Sequence, residues 1–191
     1  MQGSLRCFLA VGLAAGARDA VSAWVNSIRE AEDGVKWVDP ANLHLTLKFL
    51  GATDPEAIPR LESEISEAVR PLAPFSITLG GTGAFPSPSR PRVFWIGIST
   101  NGSRLASLYQ AVEDAALKAG FAPEHRSFNP HLSVGRVREG ATVSRRLISG
   151  VTSAAAREFG VSGVEGVTLY RSDLRPGGPV YAPLGFFPLM G

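Results

Sequence analysis

The sequence is poor in the groups that most often announce a mechanism. Its 191 residues hold one cysteine, three histidines, three lysines and two methionines. A single thiol, Cys7, excludes an internal disulfide framework and any multi-cysteine metal site. Its apolar neighbours mark it as a buried, inert thiol. No apolar run reaches the ~18 residues that a membrane-spanning helix needs. Charged residues are only 19% of the chain and the net charge is +2, so the overall field is weak. There is no linker and no low-complexity tail. There is also no P-loop: Gly80-Gly81-Thr82-Gly83 lacks the following Lys-Ser/Thr and opens no helix, and it reads as a tight turn between strands. No nucleophile elbow is present either.

What the chain does have is one chemical pattern written twice. His44-Leu45-Thr46-Leu47 and His131-Leu132-Ser133-Val134 both read His, apolar, hydroxyl, apolar. On a strand, alternate residues share a face, so each histidine lies beside its hydroxyl residue with apolar residues beneath. The neighbourhoods match too, with Pro40 shortly before His44 and Pro130 immediately before His131. The histidines are 87 residues apart (131 − 44), close to half the chain. This spacing predicts two related halves, each giving one strand to a shared cleft.

The remaining pattern is α+β. Strands are predicted over 5–13, 36–38, 43–50, 75–79, 93–98, 131–137, 157–161, 164–170 and 180–187. Helices are predicted over 17–31, from Asp54 to Val69, over 103–119 and over 142–151. Asp54-Pro55-Glu56 carries the N-cap, the first-position proline and the early acid of a helix start. Connections are too short for a doubly wound sheet, so the expectation is a mostly antiparallel fold in two lobes, with 45% hydrophobic residues to fill the core. The apolar stretch after Arg6 loosely resembles a secretory signal. A single preceding charge and the break at Gly12 favour a buried first strand and a cytoplasmic protein.

Two imidazoles with ordinary pKa values near ~6.5 can divide acid and base work at neutral pH. One takes a proton from the attacking water or hydroxyl and the other gives a proton to the leaving oxygen. In-line attack at phosphorus requires them on opposite sides, which two strands from two lobes provide. Thr46 and Ser133 can donate to the non-bridging oxygens as charge builds there. Arginines outnumber lysines sixteen to three, and Arg126, Arg136, Arg138, Arg145 and Arg146 gather around the second tetrad. Their planar forks suit phosphate oxygens, and Arg126 is the first candidate. Strict alternation puts Arg136 on the face opposite His131 unless a bulge intervenes. The same rule puts Lys48 on the His44 face, where it either reaches the phosphate or forms a solvated rim. A metal is a weaker alternative: the tetrads offer two imidazoles and no carboxylate, His125 falls on a predicted loop, and zinc takes three or four protein ligands.

These residues resemble the 2H phosphoesterase superfamily, and within it the RNA 2′,3′-cyclic phosphodiesterases, also called 2′-5′ RNA ligases (LigT-like). The first tetrad lies in Asn42-Leu43-His44-Leu45-Thr46-Leu47-Lys48-Phe49-Leu50-Gly51. The second lies in Arg126-Ser127-Phe128-Asn129-Pro130-His131-Leu132-Ser133-Val134-Gly135-Arg136. Arg6 to Val11, Gly83 to Pro86, Pro91 to Trp95 and Leu169 to Ser172 extend the likeness over essentially the whole chain. The resemblance implies one 2H phosphoesterase domain over 1–191, bilobal, with two antiparallel sheets related by a pseudo-two-fold, helices outside and a central cleft.

It further implies metal-independent hydrolysis of RNA 2′,3′-cyclic phosphate ends, or of small cyclic nucleotides, to 2′-phosphomonoesters. The reaction reversed would give 2′-5′ ligation. By analogy His44 is the proton donor, His131 the proton acceptor, and Thr46 and Ser133 hold phosphate. No cofactor, no membrane and a monomer are expected. Ser133 departs from the more usual threonine, keeping the hydroxyl and losing the methyl that fixes its rotamer. Two alternatives stand beside this reading. One is a non-catalytic module that binds RNA ends or nucleotides. The other is a phosphodiesterase of different specificity (a 2′-5′ oligonucleotide or an ADP-ribose cyclic phosphate), with the choice set by the loops at 84–92 and 138–145.

Overall fold

A computed structural model describes residues 4–175 and 178–191. Along the chain run β1 (Leu5–Gly12), α1 (Ala15–Ile28), β2 (Val35–Trp37), β3 (His44–Thr53), α2 (Ile58–Val69), β4 (Phe75–Phe85), β5 (Val93–Ser99), α3 (Arg104–Lys118), β6 (His131–Val137), α4 (Arg145–Ser153), β7 (Glu158–Val164), β8 (Gly166–Arg175) and β9 (Gly178–Pro188). The expected start signal at Asp54 caps a short 3₁₀ turn (Pro55–Ala57), and α2 begins one turn later, at Ile58. The Asp54 carboxylate accepts the Glu56 N–H at 3.0 Å and leads into α2, whose Leu61, Ile65 and Val69 form one fully buried stripe. Ser144 caps α4 through the Leu147 N–H at 3.0 Å.

The strands form two antiparallel sheets, one ordered β3-β1-β8-β9 and the other β2-β6-β5-β4-β7. The repeat is visible in the element order. β1-α1-β3-α2-β4 is matched by β5-α3-β6-α4-β8, with β2, β7 and β9 added. Each half sends its last strand into the other half's sheet: β4 pairs with β5, and β8 pairs with β1. Helices α2 and α3 back the four-stranded sheet, packing on β9 and β3. Helices α1 and α4 back the five-stranded sheet, packing on β7 and β4. Buried residues of both sheets and all four helices join in one hydrophobic core. Each Leu or Ile fully buried there, such as Leu9, Leu45, Ile65, Ile96 and Leu132, contributes roughly 1.5–3 kcal/mol relative to exposure.

The apolar N-terminal stretch is the strand β1, buried in its sheet between β3 and β8. Among the described residues no helix is long and apolar enough to cross a membrane.

Two expectations are corrected. Gly80–Gly83 is no turn: β4 continues through it to Phe85, paired with β5 to its end and with β7 as far as Gly80. The glycines instead allow a bulge, with Gly81 at φ +71° and the register against β5 slipping between Gly80 and Thr82. Strict alternation also fails in both tetrad strands. β3 slips against β1 around Leu47, since Leu9 faces Lys48 while Ala10 faces Thr46. β6 slips against β5 around Val134, since Phe94 faces Gly135 while Trp95 faces Ser133. The two bulges fall at equivalent positions of the repeat. Each puts two successive residues on the buried side: Leu47 and Lys48 in β3, Val134 and Gly135 in β6.

Candidate active site

The tetrads occupy corresponding places. β3 borders the four-stranded sheet, β6 is second from the edge of the other, and the two strands contact each other across the sheets. In each tetrad the apolar residues are buried, and the histidine and hydroxyl residue are half-buried on the opposite side.

Both imidazoles are held by one and the same bond. His44 Nδ1 lies 2.7 Å from the Asn42 carbonyl, and His131 Nδ1 lies 2.7 Å from the Asn129 carbonyl. A carbonyl only accepts, so Nδ1 must carry the hydrogen in each ring. Nε2 is then the atom of each histidine that exchanges protons with a ligand.

The surroundings differ. The His44 ring sits among Phe8 (4.8 Å between centroids), Tyr181 (5.3 Å, edge-on) and Tyr170 (6.4 Å). Burial pushes its pKa below the ordinary imidazole value, partly offset by the Asn42 carbonyl, which favours the protonated ring. His131 meets the edge of Phe85 at 5.0 Å and is the less enclosed ring. Tyr181 ties the two sides together. Burial raises its phenol pKa, while the positive charges of Arg136 on β6 and Arg6 on β1 pull it down. A ring touching His44 therefore lies within the field of an arginine from the other tetrad strand.

Arg136 is the residue that reasoning from strict alternation missed. The bulge at Val134 turns it to the His131 side, where it is exposed, and no ion pair among the described residues engages it. One cue was present: Gly135, inside a strand, packed so closely under Val35 and Trp37 that a Cβ there would meet them at 2.8–2.9 Å. Tyr170 and Tyr181 left no local cue, because they reach His44 only through the order of strands.

Arg126 lies on the exposed loop before β6, its guanidinium forked onto Glu124 at 2.8 and 3.1 Å. That pairing holds the Glu124 carboxyl far below its usual range, at about 2. His125, Arg138 and Arg145 are exposed, and Arg146 pairs with Glu30 at 3.4 Å. Lys48 is corrected outright. It is 4% exposed, points away from the His44 side, and bonds Glu113 on α3 at 2.7 and 2.9 Å. Phe8 is a wall of the His44 pocket. Cys7 is buried, and burial raises its thiol pKa.

Comparison with known proteins fits this geometry. The family described as "LigT like Phosphoesterase" matches the chain twice, over residues 11–95 and 96–181. An RNA 2′,3′-cyclic phosphodiesterase from Methanothermobacter thermautotrophicus is 38% identical, covering 97% of this chain and 99% of that protein. The crystal structure of TT0787 from Thermus thermophilus superposes with a TM-score of 0.81 at 31% identity, over 97% of this chain and 98% of that one. E. coli LigT complexed with 3′-AMP superposes with a TM-score of 0.78 at 28% identity, over 98% and 99%.

Proposed function

The chain belongs to the LigT-like phosphoesterases, and from that premise we propose that it hydrolyses RNA 2′,3′-cyclic phosphate ends to 2′-phosphomonoesters without a metal. The observation that carries this reading is the matched pair of imidazoles, each with Nδ1–H fixed on a backbone carbonyl, on contacting strands of two sheets.

In this reading His131 Nε2 takes a proton from water, and the water oxygen attacks phosphorus in line. The bond from phosphorus to the 3′-oxygen breaks, and protonated His44 gives its Nε2 proton to that oxygen. The product keeps phosphate on the 2′-oxygen and has a free 3′-hydroxyl. Each proton transfer is of the kind that contributes about 10²–10⁴-fold. Thr46 and Ser133 donate to the non-bridging oxygens, and Arg136 neutralises the charge that accumulates there. Arg126 would join them only by giving up Glu124. With a 5′-hydroxyl attacking in place of water, the same step joins RNA through a 2′-5′ linkage and frees the 3′-hydroxyl. The chain works as one two-lobed unit, a monomer in the cytoplasm, on RNA ends or small cyclic nucleotides.

The test is product analysis in EDTA, with a nucleoside 2′,3′-cyclic monophosphate and a short RNA ending in the same group. The 2′-phosphate alone is expected from both. A 3′-phosphate would reverse the sense of protonation, loss of rate in EDTA would require a metal, and absence of product would leave a binding module.

A further inference from the structure

A buried lysine and a buried glutamate are costly to remove from water, and an apolar pair of similar volume often serves stability as well. Lys48 and Glu113 are the one such ion pair among the described residues, with side chains 2% and 10% exposed. They also do more than bond each other. Lys48 Nζ donates to the Ala122 carbonyl at 3.0 Å, and Glu113 Oε2 accepts the Glu124 N–H at 3.2 Å. Both partners belong to residues 121–130, a stretch without helix or strand that ends at His131.

That stretch supplies the carbonyl of Asn129 on which the His131 Nδ1–H depends. Its ends are fixed by backbone bonds, Phe121 N–H to the Ala116 carbonyl at 2.9 Å and Ile98 N–H to the Pro130 carbonyl at 3.2 Å, and between them Phe128 stacks on Tyr109 at 4.0 Å. Tyr109 stands one helical turn before Glu113, on the same side of α3. One side of α3 and one residue of the first tetrad strand thus hold the loop that aims the second histidine.

The first histidine has no counterpart to this brace. The residue equivalent to Lys48 in β6 is Gly135. The carbonyl that aims His44 comes from a short 3₁₀ turn (Pro40–Asn42), capped by Asp39 on the Ala41 N–H at 2.8 Å and tied by Asn42 to the Pro179 carbonyl at 3.1 Å. Residues 121–130 have internal bonds as well, Arg126 to Glu124 and Asn129 Nδ2 to the Ser127 carbonyl at 3.2 Å, but a buried ion pair ties only this second segment to the body of the protein.

We propose that the Lys48–Glu113 pair is a positioning device for His131, holding Ala122 and Glu124 so that the Asn129 carbonyl keeps the ring in its Nδ1–H form. The proposal rests on the phosphodiesterase reading for its consequence in rate, and on geometry alone for its consequence in the ring.

The variant is Lys48→Met/Glu113→Leu, which removes both charges together and leaves the Ala122 carbonyl and Glu124 N–H, both on exposed residues, to water. Steady-state rates on a nucleoside 2′,3′-cyclic monophosphate are measured beside long-range ¹H–¹⁵N spectra of the histidines. Expected are a folded protein, a kcat at least about tenfold lower with KM within about twofold, as for a displaced catalytic group, and loss of the pure Nδ1–H tautomer at His131 while His44 keeps it. Should the double variant not fold, Glu113→Gln preserves volume while removing the charge opposite Lys48 and placing an NH₂ donor where Oε1 now accepts from Lys48 Nζ at 2.9 Å. The same two readings are then expected, in weaker form. A folded variant with kcat within twofold of the parent overturns the proposal. So does a fall in kcat with His131 unchanged, or one in which His44 changes alike. A parent inactive on cyclic phosphates would instead overturn the functional reading, and the tautomers of His131 and His44 would still decide for or against the clamp.

Discussion

The first tetrad sits in a tight, self-braced, aromatic setting; the second sits on the end of a long loop in a more open and more basic one. Backbone geometry is the same in both, down to the 2.7 Å bond at Nδ1 and the bulge after the hydroxyl residue. Each ring thus bonds the carbonyl two residues before it in the chain. What differs is imported from elsewhere in the chain: Phe8, Tyr170 and Tyr181 around His44, and Phe85 and Arg136 around His131. The comparison separates two jobs that are easily merged. Orientation is repeated between the halves, while proton affinity and charge are divided between them.

Removing either ring breaks the pairing altogether. His44→Ala and His131→Ala should each lower turnover of a cyclic nucleotide by about 10²-fold or more, with melting temperatures little changed. A rate near the parent's in either variant would rule out a two-histidine mechanism. The arginines come next. Arg136→Ala should lower kcat/KM by about 10–100-fold, as for loss of one charged donor to a developing oxyanion. Arg126→Ala should lower it by less than about threefold, because an exposed arginine already committed to a carboxylate has little to give. The reverse ranking would move the phosphate site out to the loop.

A smaller effect is expected in titration. Burial holds the His44 pKa below the ordinary imidazole value, so as pH falls His44 should gain its proton later than an unburied imidazole. If His44 is the donor, the alkaline limb of the kcat/KM profile lies below that value too. Tyr181→Ala, which opens the pocket to water, should move the limb and the NMR titration of His44 upward together. The sign for stability follows from the same shift. The unfolded chain binds the proton more tightly than the folded one, so stability should decline as pH falls below about 6.5 and level off beneath the folded pKa. Denaturant unfolding at a series of pH values, compared between parent and His44→Ala, measures this contribution. The smallest effect is Ser133→Thr, which makes the tetrads alike; a change in kcat within about threefold is expected, since only rotamer preference differs.

The legible parts of the fold were those that local rules determine. The turn at Asp54-Pro55 that leads into α2, the tetrad strands and the α+β class follow from capping chemistry and from the alternation of buried and half-buried residues. Counting along a strand fails at a bulge, and three bulges account for the errors: Gly81 made a strand read as a turn, Leu47 sent Lys48 to the wrong side, and Val134 hid Arg136. The aromatic ring about His44 was beyond reach for a different reason. Its members lie on β1, β8 and β9, and only the strand order brings them within about 5–6 Å of that imidazole.

The exchange of β4 and β8 between the sheets has a consequence for how the molecule would come apart. A protease cutting in the exposed Pro86–Arg92 segment would sever the repeat at its midpoint, yet release neither piece. The N-terminal fragment would still hold β4 clasped between β5 and β7, and the C-terminal fragment would still hold β8 against β1. The two pieces are linked like interlaced fingers, so a nicked molecule should travel as one species on a sizing column. Either half made alone would lack a strand that only the other can lend.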